Sequence, residues 1–420
     1  MFDNIFGEGS MERSILHCDL DNFFASVEGV FDPSLKGVPF AVCGDAALRH
    51  GIVLAKNQLA KSYGVKTATP IWEAKQACPK LKIVEPHYDR YMDFSRRARA
   101  IYEQYTDMVE AFGADECWLD VTGSSLLFGS GEEIAKEIND RMLKELGLTV
   151  SVGVSFNKCF AKLGSDLNKP NGVTVISKEN YKSVVWPLPA ENLLWIGKSA
   201  KQRLNSLGII TIGDIGTIGR DFLTTAFGKS GEGIWSNAMG YDSSPVLRES
   251  ELPAAKSIGK SVTGSEDLTN DAQVYRTLLS LSESISEKLR KCSLLCGTVQ
   301  LHIRDCMLIT IERQVKLSEP TRLASELAAI GMELFRKNWK WHRTVRSVGI
   351  RACELMSDSE CLQMSFEYDY KKALKLERLE KSVDGIRAKY GKRSVTRASL
   401  MCAAAENARK TGSVATICGD

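Results

Sequence analysis

The chain has 420 residues, enough for about three domains, and 44% of them are hydrophobic and 25% charged, as in ordinary globular proteins. Its net charge is only +3, so any surface that binds nucleic acid has to be a local basic patch. No apolar run reaches the roughly 18 residues that a membrane span needs, and the opening "MFDNIFGEGSMERS" lacks the basic start of a secretory signal. The sequence therefore predicts a cytoplasmic protein without a membrane partner.

Strand and helix patterns alternate in the first part of the chain. Residues 13–20 and 148–156 have the pattern of buried strands, and 108–121 reads as two short strands around Gly113-Ala114. Helices are predicted from Asn22, over 132–146 and over 89–107. The last of these carries one apolar stripe, formed by Tyr91, Phe94, Ala98, Ile101 and Tyr105. With residues 30–86 set aside, the order is β-α-β-β-α-β, the split βαβ or ferredoxin-like arrangement.

Two further regions and a tail follow. A proline-bearing connection leads into a small helical region at about 185–245, and a linker over 242–256, rich in Pro, Ser and charged residues, then marks a domain boundary. Beyond it a second β-α-β-β-α-β order is predicted, with helices over 272–291 and 321–337. The last 65 or so residues look like a polar tail with one helix near 369–389.

Three acidic residues are predicted to meet at one edge of the first sheet. Asp19 ends the first strand, and Asp115 and Glu116 lie at the turn of the 108–121 hairpin, beside which a split βαβ sheet places that strand. Clustered carboxylates repel each other unless a hard cation neutralises them, and oxygen ligands favour Mg²⁺. The alternative is that each acid caps a strand end or a turn, which is the commoner role for any one of them alone.

Basic residues and glycine turns indicate contacts with phosphate. Lys169, in the turn after the helix of "SFNKCFAKLGSDLNKPNGV", can reach a triphosphate as a point charge. Lys56 and Lys61 lie on a second basic helix, although lysines on helices usually form a solvated face. In the helical region, the glycine turns of "LLWIGKSAKQRLNSLGI" and "FGKSGEGIWSNAMGYD" let backbone N–H groups approach DNA phosphates.

These segments resemble a known family. "HCDLDNFFASVE", "GADECWLDVT" and "SVGVSFNKCFAKLGSDLNKPNG" resemble the three palm motifs of the Y-family translesion DNA polymerases, the DNA polymerase IV (DinB)/UmuC-MucB group. "SLKGVPFAVCG" and "YGVKTATPIWEAKQACP" are similar to their fingers, "LLWIGKSAKQRL" to their helix-hairpin-helix thumb, and "KSIGKSVT" with "VRSVGIR" to their little finger. The likeness covers about 12–352 in the right order.

The resemblance implies an α+β multidomain fold, the right-hand polymerase. Its ferredoxin-like palm would take residues 1–29 and 87–182, with small fingers inserted at 30–86. A helix-hairpin-helix thumb would follow at 183–245 and a βαββαβ little-finger domain at 246–353. Residues 354–420 would form a C-terminal tail.

The resemblance also implies the roles of single residues. Asp19, Asp115 and Glu116 match the catalytic acids that hold two Mg²⁺ ions, with the Leu20 carbonyl as an extra metal ligand. Phe24 matches the aromatic steric gate under the sugar. The remaining nucleotide contacts would come from the Phe23 and Phe24 amides and from Lys169. Asp21 lies in the motif but is not a family ligand, so it is interpreted as structural.

The sequence departs from the family pattern at several positions. Gln58 and Lys61 stand where the fingers helix usually carries a Tyr and an Arg on the triphosphate, and lysine lacks the bidentate geometry of arginine. Ala55 and Ala114 replace hydroxyl residues, and Trp195 stands in the usual Gly-Ile-Gly of the thumb. These departures concern the tightness of nucleotide binding and not the reaction.

The tail contains two short likenesses. "CLQMSFEYDY" resembles a sliding-clamp-binding pentapeptide, with Gln363, Met364, Ser365 and Phe366 as its core, although motifs this short also arise by chance. "IRAKYGKRSVTRASL" resembles the C-terminal segment of the UmuC-like branch.

The leading interpretation is a template-directed, low-fidelity translesion DNA polymerase that uses two Mg²⁺ ions. Its partners would be primer-template DNA, deoxynucleoside triphosphates and a sliding clamp. Two alternatives belong to other classes: a non-catalytic DNA-binding or scaffold protein of the same fold, and a nucleotidyl cyclase on a similar palm. The intact acids argue against the first. The thumb hairpins argue against the second, as does the last domain, where Lys and Arg outnumber Asp and Glu by 17 to 12 over 245–351.

Overall fold

The computed structural model of the protein describes residues 12–45, 51–359 and 368–400. Within them the chain forms two compact units, and the change from the first to the second falls between Leu252 and Pro253. No helix in these described ranges is both long and apolar enough to cross a membrane.

A five-stranded sheet forms the centre of the first unit. Its strands are β1 (Ile15–Leu20), β5 (Val109–Ala111), β6 (Glu116–Asp120), β7 (Val150–Ser155) and β8 (Val173–Ile176), in the order β5-β6-β1-β7-β8. The first strand pairs antiparallel with both β6 and β7, as the predicted β-α-β-β-α-β order requires. The last strand adds to β7 in parallel, through a helical crossover.

Helices cover both faces of this sheet, so all six residues of β1 are buried. They are α1 (Phe23–Phe31), α4 (Tyr88–Tyr102), α5 (Ser125–Phe128), α6 (Gly131–Arg141) and α7 (Lys158–Leu167). Alternate β1 side chains, Leu16, Cys18 and Leu20, join the core that contains α4 and α6, while Ile15 packs with Ala161 of α7. The predicted stripe of α4 is confirmed as buried, although the helix ends before Tyr105.

A small sheet and two helices are inserted between α1 and α4. The strands β2 (Phe40–Cys43), β3 (Val53–Lys56) and β4 (Lys82–Val84) lie in the order β3-β2-β4, with α2 (Gln58–Ser62) and α3 (Ile71–Ala77) beside them. The Asn57 side chain accepts a hydrogen bond from the Ala60 amide, which caps the start of α2 at 2.9 Å. This cap fixes where the helix with Gln58 and Lys61 begins.

The predicted helical region is also present. It consists of α8 (Tyr181–Val184), α9 (Lys198–Ser206), α10 (Ile212–Ile218), α11 (Arg220–Phe227) and α12 (Lys229–Ala238). Gly208, after α9, and Gly228, between α11 and α12, have φ values of 76° and 63°. Glycine adopts this left-handed backbone without steric cost, which explains its place in these turns.

The second unit repeats the element order but not the sheet order. Its strands β9 (Ser257–Leu268), β10 (Leu294–Asp305), β11 (Thr310–Thr321) and β12 (Val345–Ser357) lie in the order β11-β10-β12-β9, so its first strand is at an edge. The helices α13 (Asp271–Lys291) and α14 (Ala324–Asn338) contribute to the core with this sheet. The predicted tail helix is α15 (Tyr370–Tyr390), held to α13 by an ion pair of 2.7 Å from Arg290 to Asp384.

Candidate active site

The pairing of β1 with β6 brings the predicted acids together. Asp19 and Glu116 are partners in the antiparallel register, so their side chains project from the same face. The Leu20 amide donates a hydrogen bond of 3.0 Å to the carbonyl oxygen of Asp115, which fixes the hairpin turn beside β1. Asp19, Asp115 and Glu116 are therefore neighbours at the end of the sheet, as the sequence predicted.

Two lysines form ion pairs with Asp19 and Glu116. The Lys162 ammonium group of α7 lies 3.1 Å from Asp19 Oδ2 and 3.0 Å from Glu116 Oε1, while Lys169 lies 2.7 Å from Asp19. Burial disfavours the charge on Lys162, but the carboxylates of Asp19 and Glu116 outweigh it and raise the lysine pKa. The sequence pattern assigns no contact to Lys162, which lies on the helix before the turn of Lys169.

Burial acts on the acids in different ways. It raises the pKa of Asp19 to about 6 in spite of both lysines, and it also raises the pKa of Asp115. Burial favours protonation of Glu116 as well, but contacts with His17 and Lys162 lower that pKa to about 2. The buried His17 ring lies 3.6 Å from Glu116, and burial lowers its pKa to about 4, so it is neutral at pH 7.

The acids open into a cavity of about 470 Å³. Every residue predicted for the metal and nucleotide sites lines it, namely Asp19, Leu20, Phe23, Phe24, Gln58, Lys61, Asp115, Glu116 and Lys169. Gln58 and Lys61 thus face the same space as the acids, although they belong to the inserted segment. Lys56, which ends β3 and does not lie on the helix that the sequence predicts, also lines the cavity, and its ammonium group donates a hydrogen bond of 2.8 Å to the Thr67 hydroxyl.

Both carboxylate oxygens of Asp21 accept hydrogen bonds from within the protein, which supports its interpretation as structural. One of its carboxylate oxygens accepts a hydrogen bond from the Ser151 hydroxyl at 2.9 Å, and the other accepts from the Asn171 amide at 2.8 Å. The second bond ties the end of β1 to the turn that carries Lys169. Between Asp21 and α1, Asn22 has a φ of 49°, and this left-handed residue turns the chain so that α1 begins at the cavity.

Aromatic rings support Phe24. Its ring stacks on Tyr91 with centroids 4.1 Å apart and planes 10° apart, and Tyr88 meets it edge-on at 6.0 Å. The Tyr91 hydroxyl donates a hydrogen bond of 2.6 Å to the buried carboxylate of Glu28. Phe24 is therefore fixed at the cavity wall. The sequence predicts Tyr91 only as a core residue, because nothing in the spacing relates it to Phe24.

The donor set at this site fits a hard divalent cation. The side chains of Asp19, Asp115 and Glu116 offer only oxygen, which suits Mg²⁺ better than softer metals. In the described parts of the chain, however, no three acidic, His or Cys side chains are already arranged as a metal site. The charge that a cation would supply to Asp19 and Glu116 comes instead from Lys162 and Lys169.

Comparison with known proteins identifies the family. The profile of the impB/mucB/samB family matches residues 18–166, and that of the family's C-terminal domain matches 255–366. A solved Y-family DNA polymerase chimera superposes with a TM-score of 0.73 at 27% identity, covering 82% of this chain and 99% of its own. DNA polymerase IV of Acetivibrio thermocellus is 50% identical over 93% of this chain and 98% of its own length. The chain belongs to the Y family of DNA polymerases.

A second relative of this polymerase, DNA polymerase IV 2 of Bacillus subtilis, is 36% identical over 96% of the chain and 98% of its own length. Family membership confirms the sequence interpretation: the protein is a DNA-directed DNA polymerase that carries out translesion synthesis, with an α+β multidomain fold. Neither the relatives nor the structural match favours the non-catalytic alternative.

One predicted site lies outside the described residues of this polymerase. The clamp-binding motif at Gln363, Met364, Ser365 and Phe366 falls within 360–367, between β12 and α15. Its role stays a prediction.

Proposed function

We propose that this polymerase extends a DNA primer with deoxynucleoside triphosphates at the cavity between β1, β6 and α2. The observation that carries the proposal is the register pairing of Asp19 with Glu116, beside Asp115, in a cavity that also contains Phe24 and Lys169. Carboxylates, an ammonium group and an aromatic ring thus lie in one space of about 470 Å³. That combination is what nucleotidyl transfer requires.

Asp19, Asp115, Glu116 and the Leu20 carbonyl would hold two Mg²⁺ ions. When bound, such ions stabilise the negative charge on the attacking and leaving oxygens of an in-line displacement. The neutral His17 ring beside Glu116, together with Lys162, lowers the pKa of that acid and so favours its ionised form at neutral pH. The protein thus presents Glu116 as a ligand that needs no deprotonation.

The triphosphate would bind at the beginning of α1. The Phe23 and Phe24 amides belong to the first turn of this nine-residue helix, whose N-terminal end favours anions. Lys169 adds positive charge from one side of the cavity and Lys61 from the side of the inserted segment. The Phe24 ring, supported by Tyr91, would occupy the space that a ribose 2′-hydroxyl needs.

Primer extension with Mg²⁺ tests the proposal. Asp115→Asn should abolish extension while binding of the primer-template survives, because phosphate contacts elsewhere hold the duplex. Asp140→Asn, on the exposed face of α6, is the matched control and should extend at the wild-type rate. Near-normal extension by Asp115→Asn would show that the reaction centre lies elsewhere. Binding without extension by the wild-type protein would instead support a non-catalytic scaffold.

A sliding clamp is the further partner that we propose, on the resemblance of residues 363–366 to a clamp-binding peptide. Phe366→Ala should weaken binding to a bacterial clamp in surface plasmon resonance, because the ring would fill an apolar pocket of the partner. Asp140→Asn, at an exposed residue outside this segment, is the control and should bind the clamp as the wild type does. Equal clamp binding by the wild type and Phe366→Ala would refute this partner assignment.

A further inference from the structure

Trp195 has an unusual backbone and an unusual exposure. It precedes α9 with a φ of 73°, a left-handed conformation that is unfavourable for a bulky residue. Its side chain is 70% exposed, so burial of the indole does not offset that cost. Strained residues of this kind persist where a function depends on them, which directs attention to what surrounds Trp195.

The neighbouring aromatic residue links Trp195 to the catalytic hairpin. The rings of Trp195 and Phe112 meet edge to face, with centroids 6.2 Å apart and planes at 80°. Phe112 is itself 36% exposed, and its amide donates a hydrogen bond of 2.8 Å to the carbonyl oxygen of Glu116. The pair, here called the aromatic platform, therefore joins the segment before α9 to the hairpin that carries the acids.

The aromatic platform is held rigidly from below. Phe112 packs on Trp118 with centroids 4.6 Å apart, and the Trp118 indole donates a hydrogen bond of 3.1 Å to the Lys158 carbonyl. Trp118 is 3% exposed, so the support belongs to the core while the platform faces outward. An outward aromatic surface on a fixed base is suited to packing against a flat or apolar ligand.

The sheet order shows which side of the acids the aromatic platform occupies. In the strand order β5-β6-β1, the acids of β6 and β1 separate Phe112, just beyond β5, from α1 with its steric gate. Neither platform residue lines the cavity that contains Phe24, Lys61 and Lys169. In an in-line displacement the attacking and leaving oxygens lie on opposite sides of the phosphorus. If the triphosphate binds in the cavity, the 3′ end of the primer lies on the opposite side of the acids, where the aromatic platform is.

We propose that the aromatic platform of Trp195 and Phe112 binds the primer strand, packing against the apolar sugar and base surface beside its 3′ end. This assignment rests on the proposed function, since it takes the cavity as the nucleotide site. A glycine at position 195 would let the backbone approach a phosphate, whereas the indole offers a contact that involves no phosphate charge. The aromatic platform would thus hold the primer end by a contact that salt does not weaken.

Equilibrium binding of a fluorescent primer-template, measured by anisotropy without nucleotide, tests the assignment. Asn tolerates left-handed backbone, so Trp195→Asn removes the ring without adding strain. Aromatic contacts with nucleosides contribute roughly 5- to 150-fold in affinity, so Trp195→Asn should bind at least about 5-fold more weakly. Trp195→Phe should stay within about 3-fold of wild type, because it keeps an aromatic ring. Leu126→Asn, at a residue 94% exposed on α5, should bind normally.

Three results would overturn the assignment. The first is wild-type affinity in Trp195→Asn, and the second is a changed slope of log Kd against log salt, which would indicate a phosphate contact instead. The third is that Trp195→Asn loses as much affinity for the template strand alone as for the primer-template, which would show that the ring does not contact the primer. Because the binding assay needs no extension, failure of this assignment is distinguishable from failure of the proposed function, which primer extension by the wild type and Asp115→Asn reports separately. A melting temperature of Trp195→Asn no lower than wild type excludes misfolding as the cause of weaker binding.

Discussion

Replacing Lys162 by Met tests whether lysine charge holds the acidic site together when no metal is bound. The change keeps an unbranched chain of similar length but removes the ammonium group. That group lies 3.1 Å from Asp19, 3.0 Å from Glu116 and 3.4 Å from Asp166, and its side chain is only 15% exposed. Asp19 would keep Lys169, whereas Glu116 would lose its charged partner and keep only the neutral His17 nearby.

The size of the effect follows from these contacts. Removing one partner of a fully buried ion pair costs about 3–5 kcal/mol. Here the cavity is open to water, so we expect a loss of about 1.5–3 kcal/mol in the free energy of unfolding, the value of a charge-assisted hydrogen bond. Lys136→Met is the control, because its exposed pair with Glu132 contributes at most about 0.5 kcal/mol.

Urea denaturation in EDTA and again in Mg²⁺ measures this loss. With a slope of about 1–3 kcal/mol per molar urea, the midpoint of Lys162→Met in EDTA should fall by roughly 1 M. In Mg²⁺ the difference from wild type should shrink, because a cation bound by the acids supplies the missing charge. An unchanged midpoint in EDTA, or a difference that Mg²⁺ leaves as large, would refute the reasoning.

Three other predictions concern the nucleotide and the proton. Phe24→Ala should raise ribonucleotide insertion relative to deoxynucleotide insertion, since the ring volume excludes the 2′-hydroxyl, and an unchanged rCTP-to-dCTP ratio opposite template G would place the gate elsewhere. Lys61→Arg should lower the KM for nucleotide severalfold, because a guanidinium holds two phosphate oxygens and gains part of the roughly 1.5–3 kcal/mol that a charged hydrogen bond contributes to binding. Lys61→Ala should raise the KM. Equal KM values in both variants would show that α2 does not touch the triphosphate. Metal and proton compete for Asp19, whose pKa is raised to about 6, so the apparent Mg²⁺ affinity should be constant above pH 6 and fall by up to about tenfold per pH unit below it. Calorimetric titration with Mg²⁺ measures this, and a pH-independent affinity would contradict it.

The same pKa values set opposite stability trends. Asp19 has a folded pKa above its unfolded value of 3.8, so its contribution to stability is complete below that value and is lost as pH rises through 6. Glu116 has a folded pKa of about 2 against 4.5 unfolded, so its contribution is present above pH 4.5 and is lost as pH falls toward 2. Acidification from pH 7 to 5 therefore reduces the destabilisation that ionised Asp19 causes, and it leaves the contribution of Glu116 to stability unchanged.

The acids were predictable because two simple rules place them. Strand periodicity gives the face of Asp19, and the split βαβ order puts its strand beside the hairpin of Asp115 and Glu116. The same rules do not predict the strand order of the second unit, where the same β-α-β-β-α-β order produces a sheet with its first strand at the edge. Element order alone does not decide which strands pair.

The supporting contacts were not predictable from the sequence. Lys162 reaches Asp19 from 143 positions away, because α7 packs across the underside of the sheet. Tyr91 reaches Phe24 from α4 after the whole inserted segment has intervened. Helical spacing shows only that Tyr91 is buried and that Lys162 shares a helix with Lys158. Which partners they meet is decided by tertiary packing, which the local pattern does not encode.

The Glu28 carboxylate has a consequence for how the inserted segment can vary. It accepts hydrogen bonds from His87 at 3.0 Å, Arg90 at 2.9 Å and Tyr91 at 2.6 Å, and thereby joins the end of α1 to the beginning of α4. The inserted segment between α1 and α4 thus starts and ends at one place beside the five-stranded sheet, where the buried Glu28 side chain joins its two ends. Once the two ends of such a segment are held together, doubling its length costs only about 0.6 kcal/mol in chain entropy. Insertions and deletions in this segment therefore cost the five-stranded sheet little, and the segment can change in length while the acids stay in register.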